Sequence, residues 1–153
     1  MIRKSPFIFE DAVPREKFFD RKAELEFFIR NVRVKRKILL CIIAPLKYGK
    51  SSLMHRYFEH ILEYPDIVPI YVDLKKIVTP IAYMVEELGR HSIELKGYGE
   101  AIRRGDLLPL FDELSEILGE KDKWLFLFFD EFHLLPKRIR GEGFYRGLDD
   151  EDI

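Results

Sequence analysis

The sequence predicts a three-layer α/β fold, with a mostly parallel sheet flanked by helices. Three continuous apolar runs of strand length, residues 38–44, 68–74 and 124–129, are separated by stretches whose apolar residues recur at helical spacing. Strands that alternate with helices pair in parallel, because each crossover returns the chain to the same end of the sheet. The 153 residues can bury one sizeable core, so one domain is the expectation.

Taken in order, Asp20 is a good N-cap, and Leu25, Phe28, Ile29 and Val32 then share one face, which gives a helix over residues 21–32. Arg33, Lys35, Arg36 and Lys37 form a basic connector into the first run, residues 38–44, which reads as a strand buried on both faces. Within it Cys41 is expected as a small buried hydrophobe. Leu53, Met54, Tyr57, Phe58, Ile61 and Leu62 mark a helix over residues 50–62. The second run is rich in β-branched and aromatic residues, with Pro69 near its start, where a missing N–H is tolerated. Thr79 and Pro80 open another helix as cap and first residue, and Ile81, Met84, Val85 and Leu88 form its apolar face. Gly97, Gly99 and Gly105 mark a loop. Asp106 caps the helix that carries Leu107, Leu110, Phe111, Leu114, Ile117 and Leu118, and Gly119 ends it. Residues 124–129 form the third strand.

Composition narrows the function classes. With 47% apolar and 35% charged residues the chain is not a disordered one, and a net charge of -1 offers no bulk attraction to nucleic acid. No apolar run approaches the roughly 20 residues of a membrane span, and the charged start from Met1 to Lys4 precedes no signal-peptide core. A cytoplasmic protein without membrane association is expected. A single cysteine rules out a disulfide within the chain. The lack of glutamine, the single Asn31 and the abundance of Glu, Lys and Arg match a thermophilic bias.

The loop after the first run carries the chemistry. Ala44-Pro45-Leu46-Lys47-Tyr48-Gly49-Lys50-Ser51-Ser52 matches the Walker A pattern of glycine, four residues, glycine, lysine and serine or threonine, except that Ala44 replaces the first glycine. A phosphate loop needs inward-turned backbone N–H groups, a helix N-terminus behind them and a lysine that reaches the β and γ phosphates. Gly49 suits the tight turn, Lys50 supplies charge to bound and reacting phosphate, and the Ser51 hydroxyl is a magnesium ligand candidate, while Pro45 removes one donor. All nine residues are candidate ATP contacts; the alternative is a chance match on a strand-to-helix turn. The third run ends in Asp130-Glu131, a Walker B pattern, with Asp130 expected in the magnesium shell and Glu131 as the base that orients the attacking water. Its alternative is a pair of solvated acids in a turn.

With these motifs the chain resembles the archaeal ATPase family, AAA+-like P-loop NTPases of the signal-transducing class. The likeness extends to about His133 and includes Phe19-Asp20-Arg21-Lys22-Ala23-Glu24-Leu25, similar to the aromatic, Arg and Glu-Leu box before the family's first strand. That box implies a position near adenine for Phe19 and Arg21, with helix capping and packing as the other reading. The resemblance implies a three-layer P-loop NTPase sheet, ATP and Mg2+ as cofactors, and hydrolysis of ATP to ADP. It also implies an organisation into residues 1–35, the N-terminal helix and adenine-side box, residues 36–135, the NTPase core, and residues 136–153, a loop and acidic tail.

Residues 132–153 contain no further apolar run of strand length, whereas the family's sheet continues with a sensor strand, a fifth strand, an arginine near the nucleotide and a helical domain. The sheet is therefore expected to lack its C-terminal strands and to expose an edge that favours self-association or a protein partner. Arg138, Arg140 and Arg146 are weak candidates to imitate the missing sensor arginine. Turnover is doubtful on this basis, and the alternative function is a module that binds ATP or ADP without efficient hydrolysis. His133 has a possible γ-phosphate role beside plain loop packing, His55 and His60 lack partners at metal spacing, so no zinc site is expected, and the basic group from Arg30 to Lys37 gives nucleic acid only weak support.

Overall fold

In the computed structural model, which describes residues 21–35, 39–45 and 47–144, the chain divides into two units, Met1–Tyr64 and Pro65–Ile153. The first unit contains helices α1, Lys22–Lys35, and α2, Lys50–Ile61. They pack through Phe28, whose ring stacks on Tyr57 with centroids 4.1 Å apart and planes within 8°. The Tyr57 hydroxyl donates to the Glu24 carbonyl at 3.0 Å. Burial, reinforced by the Glu24 carboxylate, pushes this phenol up to about 12. Helix α1 runs further than the sequence suggests and absorbs Arg33 and Lys35, two residues expected in a connector. Its expected cap, Asp20, lies outside the described residues.

The expected first strand is not formed: residues 39–45 carry no regular structure, and Leu39 and Ile43 are each 93% exposed. Cys41, expected buried, is exposed as well. An apolar run becomes a buried strand only when neighbours take up its N–H and C=O groups, and among the described residues the only strand pairing is that of two other strands with each other.

Those two strands, β1 at Ile67–Asp73 and β2 at Trp124–Asp130, lie in the second unit and pair in parallel, in register from Ile67 opposite Trp124 to Asp73 opposite Asp130. The architecture is α/β, a two-stranded parallel sheet with helices packed on it. Because side chains alternate along a strand, Val68, Ile70, Val72 and Leu74 share one face. Together with Met84 and Leu88 of α3, Pro80–Arg90, with Ile93, and with Leu114 of α5, Leu108–Glu120, they form the larger core cluster. Pro69 is accommodated because β1 has a single partner among the described residues, so one edge requires no donor.

Elsewhere the structure adds detail to the sequence reading. The glycine-marked loop contains a short helix, α4 at Tyr98–Arg104, and Gly105 ends it in the left-handed conformation at φ 70°. The expected cap Asp106 lies one residue before the N-cap, which is Leu107, and its Oδ1 accepts the Leu108 N–H at 2.9 Å. Gly119, however, does not end α5, which reaches Glu120 before the chain turns through left-handed Asp122. The segment after β2, expected as a loop, forms a 3-10 turn at Phe132–Leu134 and helix α6 at Leu135–Gly141.

This last segment closes back on α3. Thr79 makes no side-chain cap bond; the Glu142 carboxylate does the work instead, accepting the Ile81 N–H at 3.0 Å and the Ala82 N–H at 3.4 Å. A carboxylate at that end also opposes the helix dipole favourably. Burial nevertheless raises its pKa, against the pull of the two amide bonds. Two residues on, Phe144 is 1% exposed in a cluster with Ile81, Ala101, Leu107 and Leu110. Removal of a buried phenylalanine ring typically costs about 3–5 kcal/mol. Phe144→Ala is therefore expected to destabilise the second unit by about that amount. Trp124, the only tryptophan, belongs to this unit, so urea unfolding followed by its fluorescence measures the loss. A change below about 1 kcal/mol would contradict a load-sharing role for this ring.

Candidate functional site

The predicted phosphate-loop residues are brought together in the first unit. Ala44 and Pro45 close the unpaired segment, Leu46 lies outside the described residues, and Lys47 and Gly49 are left-handed, with φ 64° and 74°. Glycine carries such a conformation without the steric cost that a Cβ brings, which is the requirement at position 49. Helix α2 then begins at Lys50, with Gly49 at its N-cap and no side chain bonded across that end. Its first turn contains no acidic residue, so the positive end of the helix dipole faces no nearby carboxylate of its own helix. Ser51 follows in the first turn, half-buried, and Ser52 is buried.

Two cations are tied to this loop. The Lys50 ammonium donates to the carbonyls of Ala44 at 2.7 Å and Pro45 at 3.1 Å, folding its stem back over the loop. The Arg21 guanidinium donates to the Tyr48 carbonyl at 2.8 Å and pairs with Glu24 at 3.1 Å. Arg21 also stands at the rim of an open crevice of about 440 Å³, lined among others by Glu24, Phe27, Leu40, Ile42 and Tyr57. A volume of this order is that of small-molecule sites. Phe19, the other residue assigned to the adenine side, lies outside the described residues.

The predicted acidic pair lies in the second unit. Asp130 ends β2 opposite Asp73, so the parallel register sets two carboxylates side by side at the carboxyl end of the sheet. Both Asp130 oxygens accept protein donors: Oδ2 the Tyr71 hydroxyl at 3.0 Å and Oδ1 the Glu131 N–H at 3.0 Å. Glu131 adopts the left-handed conformation, φ 58° and ψ 46°, and its carboxylate pairs with Lys75 at 3.5 Å and with His133 at 3.5 Å. Asp73 accepts the Lys75 N–H at 3.0 Å and pairs with Lys76 at 3.6 Å. Arg138 is committed elsewhere, donating to the Leu74 carbonyl at 3.2 and 3.3 Å. Arg146 lies outside the described residues.

Tyr71 is the partner that the sequence reading missed. Nothing in a strand of apolar and aromatic residues distinguishes a tyrosine that packs from one whose hydroxyl meets a carboxylate across the ladder. The signal is visible only with the register, which places Tyr71 beside Phe128, ring centroids 6.2 Å apart, and one step diagonally from Asp130. Burial drives its phenol pKa far upward, and the Asp130 charge and hydrogen bond add to the effect. Among the described residues no three His, Cys, Asp or Glu side chains are grouped to hold a metal ion, and no helix is long and apolar enough to cross a membrane.

Comparison with known proteins gives one informative likeness. The chain is 33% identical over 64 residues to an uncharacterized ATP-binding protein of Methanocaldococcus jannaschii, a match that covers 42% of this chain and 18% of that protein. It thus spans less than a fifth of the relative's length. No family model matches the chain, and no solved structure matches it.

The Tyr71–Asp130 bond has a consequence for stability at high pH. A phenol raised above its ordinary value of 10.0 is neutral in the folded state where the unfolded chain already ionises. Its contribution is complete below that value and is lost as pH rises above it. Wild-type protein should therefore lose stability between neutral pH and about pH 10.5, and Tyr71→Phe should lose less over the same interval. Tyr57, Tyr83 and Tyr98 are also raised and leave a residual slope. Urea unfolding of both proteins at the two pH values makes the comparison, and identical losses would show that this hydroxyl is not anchored.

Proposed function

We propose that the chain binds ATP through the loop from Ala44 to Ser52. The observation that carries this reading is the loop itself: a lysine and a left-handed glycine at the uncapped start of a helix, in a sequence that is similar to part of an ATP-binding protein. In this reading Lys50 leaves the Ala44 and Pro45 carbonyls to meet the β and γ phosphates. The crevice beside Arg21 receives the base end, within reach of α1.

From the sequence motifs, the reading also carries Ser51 of the first unit and Asp130 of the second as candidate magnesium ligands, each within its own unit. The donor set suits the ion, since a hydroxyl and a carboxylate are hard oxygen ligands. The Asp130 carboxylate accepts two hydrogen bonds and makes no ion pair among the described residues, which leaves acceptor capacity on its roughly four lone-pair sites. When bound, magnesium neutralises charge on the phosphates. Glu131 carries the role of general base for the attacking water that the resemblance to AAA+-like ATPases implies.

A second reading, binding of ATP or ADP as an interaction or regulatory module without efficient turnover, has its own support. Glu131 is paired with Lys75 and His133, and a base so engaged is held away from a water. Arg138 is engaged by the Leu74 carbonyl, so it contributes no charge to a transferring phosphoryl group while that bond persists. Association with a second copy or a protein partner is the corresponding output. A third reading, a DNA-linked regulator, rests on the family resemblance and on the basic group from Arg30 to Lys37, of which Arg30, Arg33 and Lys35 belong to α1.

The test is titration calorimetry with ATP and phosphate release on the same samples. Lys50→Ala removes a charge-assisted contact of about 1.5–3 kcal/mol and should weaken ATP binding roughly tenfold to a hundredfold with the fold intact. Unchanged affinity would remove the phosphate-loop assignment. Glu131→Gln should retain ATP and abolish whatever turnover the wild type has, while Asp130→Asn should blunt the response to magnesium. If wild-type turnover is already negligible at saturating ATP, the second reading stands in place of the first.

A further inference from the structure

The Arg21 guanidinium is better placed to shape the phosphate loop than to touch a base. Its two terminal nitrogens are both in use, one on the Tyr48 carbonyl at 2.8 Å and the other on Glu24 at 3.1 Å. The backbone carbonyl is the significant partner, because all described peptide bonds are trans. In a trans peptide the C=O and the following N–H point to opposite sides. A guanidinium that pins the Tyr48 carbonyl therefore turns the Gly49 N–H toward the other side of the loop. Lys47 and Gly49, left-handed on either side of Tyr48, are the conformations from which successive amides converge into an anion-binding nest.

We propose that Arg21 is a positioning residue for this nest: by holding the Tyr48 carbonyl it presents the Gly49 amide to the phosphate chain of the ligand. The inference rests on the phosphate-loop reading above and deepens it. It departs from the base-contact role expected for Arg21 from sequence. The support behind Arg21 is consistent with such a role. Glu24 holds the guanidinium, and the Glu24 carbonyl is in turn held by the Tyr57 hydroxyl at 3.0 Å, with Tyr57 stacked on Phe28. The fork thus connects the packed α1–α2 pair to the loop.

A ligand without a base separates the two roles. Inorganic tripolyphosphate and ATP are titrated calorimetrically into wild type, Arg21→Met, Arg21→Lys and Lys50→Ala, at low salt and at about 0.5 M salt, where charges more than a few ångströms apart are screened. Arg21→Met keeps much of the apolar stem and removes the fork. It should weaken both ligands by the same factor, about tenfold as for loss of one charge-assisted bond, and the loss should survive high salt. In the ligand-free variant the Gly49 amide resonance should also move, a readout that a remote charge effect does not give. Arg21→Lys keeps the charge and one donor, and a smaller equal loss for both ligands is expected. If Arg21→Met does not fold, Arg21→Lys carries the test, and no loss in it overturns the inference.

A loss confined to ATP makes Arg21 a base contact, and a loss that disappears at high salt makes it a diffuse charge; either overturns the proposal. Tripolyphosphate binding that is weakened by Lys50→Ala and indifferent to both Arg21 variants refutes the positioning role alone. Indifference to Lys50→Ala refutes the phosphate-loop reading beneath it.

Discussion

Parallel pairing of β1 with β2 is the constraint on which the second unit depends. Its register fixes Asp73 and Asp130 side by side, and the ladder continues one step further, with the Leu74 N–H donating to the Asp130 carbonyl at 3.2 Å. That same Leu74 offers its own carbonyl to Arg138 and buries its side chain in the main cluster. One residue therefore ties the end of the sheet, the core and α6 together. A slip of one position would move Val68, Ile70, Val72 and Leu74 off the core face and would part Tyr71 from Asp130. The chemistry at the carboxyl end of the sheet is thus protected by the same hydrophobic pattern that builds the core.

In the first unit the governing constraint is different in kind. Among its described residues the loop joins no strand ladder, and two left-handed residues and two cations bonded to carbonyls help to shape it. Left-handed backbone costs a non-glycine residue about 1–2 kcal/mol, so Lys47 holds its conformation only because surrounding bonds compensate. The Tyr48 carbonyl held by Arg21 leaves the Gly49 amide facing the other way. A loop preformed in this sense loses less entropy when an anion arrives, which is how preorganisation raises affinity without new contacts.

Much of this was legible in the sequence because its causes are local. The helical stripe from Leu53 to Leu62 reads directly as α2, and the apolar runs at residues 68–74 and 124–129 give β1 and β2 to within a residue at each end. Asp106 acts on a neighbour two residues away, within range of pattern reading. Failures came where a partner lies far along the chain. The run at residues 39–45 has the composition of a buried strand, but composition does not supply the neighbour whose amides it needs. Glu142, which caps α3 from about sixty residues away, has no sequence signature, whereas Thr79 has a good one and makes no cap bond. The Tyr71–Asp130 bond is similarly non-local. The candidate loop itself was legible, its nine positions being contiguous; the grip of Arg21 on it, across 27 residues, was not.

The Lys50 bonds also determine how any measured phosphate affinity should be read. The ammonium already makes two hydrogen bonds to neutral carbonyls, so binding as proposed would exchange these for bonds to charged phosphate and would not create bonds from nothing. The free energy gained is the difference between the two sets. In the proposed mode of binding, the lysine that now bonds the Ala44 and Pro45 carbonyls would turn to neutralise the phosphates. Arginine at position 21, bonded to the Tyr48 carbonyl and to Glu24, would give up no bond in the proposed exchange. A fixed fork holds the frame while a flexible ammonium moves within it, and the two cations differ in the way their side chains dictate: a planar, preorganised guanidinium for geometry, a point charge on a mobile stem for the ligand.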